Sequence, residues 1–292
     1  MAETAFGPVA TAVYEVAGPD DHPPAILLHG LGAWSYTWRY LLPALAGRRR
    51  AVAVDLMGHG TTDAPRRADY SPRGLLHHAE AAVAALAIDR AVWVGTSLGG
   101  GLALLEAIER PTVVAGLVLL APAGYPQPLP QNLAVLRWPG LPSVLQFFSA
   151  RLIVRGILSR IVFYDPAFLT PDLVEHYTAP LTDRKRRRAV LEAGARVVPE
   201  DLEAIAARVP TIGAPTLVVW GEEDRVTPPE LAQRYRREIA GSRVVMLPRC
   251  GHMPQEEWPA NVLTALLPFL EGLGEAPGSL PPTEDRKTPR VD

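Results

Sequence analysis

Cysteine is nearly absent: Cys250 is the only one, so no intrachain disulfide can form and nothing points to an oxidising compartment. Lysine is almost as scarce, found only at Lys185 and Lys287, and arginine carries the positive charge. The formal net charge of -2 leaves no basic excess, so a nucleic-acid partner is not expected. No uninterrupted apolar run reaches the length of a membrane span, which argues against a membrane partner. The stretch Met1 to Pro8 has neither a basic n-region nor an apolar h-region, so no secretory signal is expected and the reading is a cytoplasmic protein. No Cys, His and carboxylate cluster shows metal-ligand spacing, and neither a metal nor a cofactor is expected. Internal repeats are absent too, which excludes a solenoid.

What is present is an alternation of strand and helix patterns in a chain of 292 residues, 48% of them hydrophobic. Residues 9–16 alternate as an edge strand would. Apolar runs at 25–28, 51–54, 91–94 and 116–120 suit strands buried on both faces of a parallel sheet, and 215–220 and 243–247 read as the last two strands. Between them fall helical patterns: one through Trp38, Leu41, Leu42 and Leu45, one opened by Ser71-Pro72 and running to Ala87, and one over 102–109. Thr227-Pro228-Pro229-Glu230 reads as a capping box for a helix towards Ile239, and 260–270 is the last helix. The order predicts an α/β fold with a doubly wound, mostly parallel sheet.

The pattern breaks from Tyr125 to Pro210. Prolines open that stretch, then helical spacing appears at Leu145, Phe148, Leu152 and Val154, with further helix starts at Thr170-Pro171 and Thr182-Asp183. The division predicted is a core of 1–124 and 211–272, a helical insertion of 125–210 and a disordered tail of 273–292, which has little apolar surface to bury. The basic runs Arg48-Arg49-Arg50 and Arg184-Lys185-Arg186-Arg187-Arg188 are read as solvated loop and helix face.

The chemistry centres on Gly95-Thr96-Ser97-Leu98-Gly99, set between an apolar strand and a helix. Such a turn leaves the Ser97 hydroxyl at its tip and the Leu98 N–H at a helix N-terminus, where negative charge is favoured. A serine needs a base and a group to orient that base. Of seven histidines, His22, His77, His78 and His176 read as solvated or packed, whereas His252 follows the final strand into a loop at the sheet edge where ligands bind. Asp224, in the loop after the preceding strand, is favoured as the orienting acid over Glu222 and Glu223.

Four motifs in order, His29-Gly30-Leu31-Gly32, the serine pentapeptide, Trp220-Gly221-x-x-Asp224 and Gly251-His252, make residues 9–271 resemble a serine hydrolase of the α/β-hydrolase fold with an inserted helical cap. The resemblance implies Ser97 as nucleophile, His252 as base, Asp224 as its orienter, and the Leu31 and Leu98 N–H groups as oxyanion donors. It also implies structural roles for His29, Asp55 and Gly58-His59-Gly60. The expected activity is hydrolysis of a carboxylic ester of a small, apolar substrate. Candidate substrate contacts are Trp34, Tyr125, Phe148 and Met253, and the insertion is expected to form a lid over Ser97. A serine at 97 disfavours the relatives that attack with aspartate. Carbon–carbon bond hydrolases share the triad but show Gly-Pro-Gly where this chain has Leu31-Gly32-Ala33-Trp34, and they stand as an alternative, as does a non-catalytic receptor on the same fold.

Overall fold

The computed structural model describes residues 1–4, 7–127 and 147–273, together with 134, 136, 138, 140, 144 and 145. Its strands are β1 (Ala2–Thr4), β2 (Gly7–Val9), β3 (Val13–Val16), β4 (Ala25–Leu28), β5 (Ala51–Val54), β6 (Ala91–Thr96), β7 (Val114–Leu120), β8 (Thr216–Gly221) and β9 (Arg243–Leu247). β1 and β2 pair with each other, and the rest form one sheet in the order β3-β5-β4-β6-β7-β8-β9. Every neighbouring pair in that sheet is parallel except β3 with β5. The fold is therefore the mostly parallel α/β sheet that the strand and helix alternation predicts.

The helices are α1 (Leu42–Leu45), α2 (Pro72–Ala85), α3 (Leu98–Glu109), α4 (Ala150–Ile157), α5 (Pro171–Thr178), α6 (Arg184–Ala195), α7 (Leu202–Arg208), α8 (Glu230–Glu238), α9 (Pro254–Glu257) and α10 (Pro259–Gly272). Successive strand residues serve opposite layers, as the pleat requires. Ile26, Leu28, Val52, Val54 and Trp93 pack with α2, α3 and α8, while Ala25, Leu27, Val92 and Val94 pack with Trp38, α1 and α10. This two-sided burial is why the central strands read as unbroken apolar runs.

Several local expectations are corrected. The single strand over 9–16 is split into β2 and β3, because Ala10 and Ala12 spend their backbone groups on the 55–63 loop, accepting from Asp63 N and Asp55 N at 3.0 Å each. The helix through Trp38 to Leu45 is a 3-10 turn, Ser35–Trp38, followed by the short α1, since Pro43 has no N–H to donate. Spacing from Leu145 matches helical residues at Val144 and Leu145, with 141–143 and 146 outside the described residues, and a separate helix begins at Ala150, capped by Ser149. Arg49 is buried, not solvated, and donates to the carbonyls of Pro23 and Leu270. The second basic run is also largely engaged: Arg186 donates to Thr61 O and Thr62 O, and Arg188 to Pro65 O, fastening α6 to the core.

Between β7 and β8 the regular elements among the described residues are helical. The expected tail, from 274 onward, lies outside the described residues. Among them, no helix is long and apolar enough to cross a membrane.

Candidate active site

After β4 the chain turns to β5 on one side, and after α2 it returns to β6 on the other. That reversal opens a crevice at the carboxyl ends of β4 and β6, the place where open α/β sheets bind ligands. Ser97 stands there. It sits between β6 and α3 at φ 52°, ψ -118°, a left-handed conformation that costs a serine about 1–3 kcal/mol. Two glycines make the turn possible: a Cβ at Gly95 would strike the Gly99 carbonyl, and one at Gly99 the Leu28 carbonyl. Ser97 N donates to Leu120 O at 3.0 Å and Ser97 O accepts from Ala123 N at 3.0 Å, pinning the turn to the end of β7.

Gly30 packs against the serine, and a Cβ built on it would lie 3.2 Å from Ser97 Cβ and 3.7 Å from Oγ. The next N–H, that of Leu31, and that of Leu98 find no protein acceptor among the described residues.

His252 and Asp224 are brought together from the loops after β9 and β8, with Nδ1 of the histidine 2.8 Å from Oδ2 of the aspartate. Trp220 Nε1 donates to the same oxygen at 3.1 Å and Thr227 Oγ1 at 2.8 Å. The other oxygen accepts from Val226 N at 2.7 Å and Thr227 N at 3.0 Å. Burial pushes this carboxyl up, but His252 and the Thr227 hydrogen bonds outweigh it and hold the group below its ordinary value. Nε2 of His252 is buried without a partner among the described residues, so the structure does not join it to Ser97 by a hydrogen bond.

Ser97 lines a cavity of about 100 Å³ that also takes in Leu31, Leu98, Tyr125 and Thr227. Its described wall carries no Asp, Glu, Lys, Arg or His.

A model of the alpha/beta hydrolase family matches residues 25–265. The chain belongs to that family. It is 30% identical over 262 residues to 2-hydroxymuconate semialdehyde hydrolase of Pseudomonas sp. (strain CF600), covering 85% of this chain and 86% of that one. It is also 30% identical over 282 residues to 2-hydroxy-6-oxo-2,4-heptadienoate hydrolase of Pseudomonas putida, covering 90% and 94%. Among solved structures, a meta-cleavage product hydrolase from Pseudomonas fluorescens IP01 superposes with a TM-score of 0.76 at 26% identity, covering 90% of this chain and 95% of its own.

In this alpha/beta hydrolase, Asp55 is buried and accepts from Ser35 N, Ser35 Oγ and Thr61 N, while His29 accepts from Leu56 N through Nε2. These groups hold loops together. Of the candidate substrate contacts, Tyr125 is on the cavity wall and Trp34, Phe148 and Met253 are not. The Trp34 indole donates to His176 O at 3.0 Å and its ring stacks on Tyr36, the Phe148 side chain is exposed, and Met253 is packed among Ala33, Phe163 and Tyr177.

Sequence reasoning missed what surrounds the pair. Thr227 does not cap α8, which starts at Glu230 with no side-chain cap, because its hydroxyl is given to Asp224. Gln255, Glu256 and Glu257, immediately after the histidine loop, are all buried. Gln255 donates to Thr37 Oγ1 at 3.0 Å, and Glu256 accepts from Arg39 at 2.7 Å and 2.6 Å and from Tyr177 at 2.5 Å. No signal in the sequence reveals them, because their burial depends on how the chain folds over them.

Proposed function

We propose that this alpha/beta hydrolase cleaves carboxylic esters with an apolar acyl group, using Ser97 as nucleophile, His252 as base and Asp224 to orient it. The observation that carries the reading is the 2.8 Å Asp224–His252 contact, reinforced on the carboxylate by Trp220 and Thr227. An ionised Asp224 fixes the proton on Nδ1 and leaves Nε2 a free acceptor.

As Ser97 Oγ bonds to the ester carbonyl carbon, its proton passes to His252 Nε2 and the carbonyl electrons move onto oxygen. The Leu31 and Leu98 N–H groups meet that oxyanion, each such donor contributing about 3–4 kcal/mol in the transition state. Collapse breaks the bond to the alcohol oxygen, which takes the proton from Nε2. Water then attacks the acyl-enzyme by the same steps, returning acid and free Ser97. In this reading residues 125–210 are the cap, and its α7 walls the cavity.

The test is hydrolysis of p-nitrophenyl butyrate together with labelling by a fluorophosphonate. Ser97→Ala is expected to abolish both while leaving the fold intact, with the label on the peptide that contains Ser97. Full turnover by that variant overturns the assignment.

A second reading, carbon–carbon bond hydrolysis, is favoured by the names of the curated relatives. The described cavity wall, which carries no charged side chain, weighs against it, since a substrate carboxylate buried against it would find no cation among those residues. Turnover of 2-hydroxymuconate semialdehyde at far higher kcat/KM than any ester would decide for it.

A further inference from the structure

We propose that the cavity beside Ser97 receives a straight, saturated acyl chain of medium length, laid along α3, with Leu105, Leu202 and Ile205 setting how long it can be. The inference rests on the ester-hydrolase reading and extends it to a substrate class.

The α3 side of the cavity consists chiefly of Leu98, Gly101, Leu102 and Leu105, spaced as one face of a helix. From Leu98 to Leu105 that face runs two turns, about 10 Å at a rise of roughly 1.5 Å per residue. The cavity is therefore drawn out from the serine along the helix instead of gathered around it. Leu202 and Ile205 of α7 face the same space. Gly101 lets α3 come close to the backbone of Ala123, whose carbonyl oxygen lies 3.0 Å from the position a Cβ would take. The Tyr125 hydroxyl donates to Glu238 at 2.7 Å, so it is already satisfied there. A space whose described wall is uncharged and mostly hydrocarbon, with Gln127 as a polar exception, suits an alkyl chain, which buries its whole surface and asks for no hydrogen bond.

About eight carbons span the stretch of α3 from Leu98 to Leu105, because an extended chain advances roughly 1.25 Å per bond, given ordinary C–C lengths and angles. The chain belongs to the acyl side. A departing alcohol must collect its proton from His252, which is not on this wall, whereas Leu98, the donor to the carbonyl oxygen, is the first residue of the helix that forms it.

The experiment compares p-nitrophenyl esters from acetate to dodecanoate and, separately, the melting temperature of the protein with added butanoate, octanoate or dodecanoate. In the wild type kcat/KM is expected to rise about fourfold per methylene, the value of a buried CH₂, up to about octanoate and then to fall. Leu105→Phe should move the optimum towards butanoate, and Ile205→Ala towards decanoate or beyond. Octanoate should raise the melting temperature of both wild type and Ser97→Ala more than butanoate does. A profile that is flat or falls steadily from acetate, or an optimum that neither variant moves, overturns the proposal while leaving ester hydrolysis standing. If no ester is turned over but octanoate still stabilises the protein and Leu105→Phe cancels the effect, the chain site stands and the ester reading fails.

Discussion

The backbone N–H of His252 donates to the carbonyl of Val162 at 2.7 Å, so the loop bearing the candidate base hangs from the helical insertion. Glu257 spans the same junction. Its carboxylate accepts from Gly251 N at 2.9 Å, beside the histidine, and from Tyr164 N at 2.8 Å, in the insertion. A side chain on Gly251 would run into the Val162 carbonyl, which is why that position before the histidine is glycine.

Replacing Glu257 by Gln keeps one acceptor and turns an NH₂ towards the other buried N–H, a loss of about 1–3 kcal/mol for an unsatisfied donor. Because that junction carries His252, kcat on p-nitrophenyl butyrate should fall about tenfold or more with KM nearly unchanged. A lower melting temperature with kcat intact would mean that the clamp serves the fold alone.

Thr227→Val removes the hydroxyl that donates to Asp224 Oδ2, and Trp220→Phe removes the indole donor to the same oxygen. Thr227→Val keeps the volume, whereas Trp220→Phe also leaves space where the larger buried indole stood, and both leave His252 in place. The expected loss in kcat/KM is roughly five- to tenfold for either, about 1 kcal/mol per hydrogen bond, and larger for the pair because Oδ2 then keeps His252 as its one side-chain partner among the described residues. An unchanged rate in the double variant would remove these donors from the catalytic argument.

The sheet was legible because its central strands are buried on both faces and therefore spell unbroken apolar runs at 25–28, 51–54 and 114–120. The placement of Ser97, Asp224 and His252 in the connections after β6, β8 and β9 was legible for a related reason, since strand patterns precede each of them. What could not be read is contact made across the chain. Thr227 looks like a helix cap in one dimension, and only the fold reveals that Asp224 competes for its hydroxyl. Arg186 and Arg188 look solvated until the 61–65 carbonyls come to meet them. Phe148 and Met253 are apolar residues whose exposure and burial depend on how the insertion lies, which periodicity does not encode.

His29, His59 and His78 are buried close together, and burial is the main cause that lowers them to about 4, about 3 and about 4. Their ordinary value is 6.5, so below that pH the unfolded chain takes up protons that the folded chain refuses. Stability is thus full above 6.5 and lost as the pH falls towards 4, by about 2 kcal/mol per histidine at pH 5. Urea unfolding at pH 7 and pH 5 should show this loss, and His78→Gln should lessen it, since a neutral amide can still accept from Met57 N. Equal stability at the two pH values would contradict the account.

Glu106, on the buried side of α3, has the opposite dependence. Its carboxyl is pushed up from 4.5 to about 8, first by burial and then by Glu80 beside it, while Arg110, with Nη1 3.5 Å away, pulls the other way. The folded chain keeps a proton that the unfolded chain gives up, so stability declines as the pH climbs from 4.5 to about 8 and levels off above. A permanently neutral side chain of the same shape avoids that decline. Glu106→Gln should therefore match the wild type near pH 5 and exceed it by about 1–3 kcal/mol at pH 8, at roughly 1.4 kcal/mol per unit discounted for the neighbouring arginine. Arg110 keeps Glu80 as a partner at 3.0 Å, so the variant gains without stranding a cation. Denaturant midpoints measured across pH 5 to 9 would read the two curves apart, and curves that run parallel would show that Glu106 is already ionised in the folded protein.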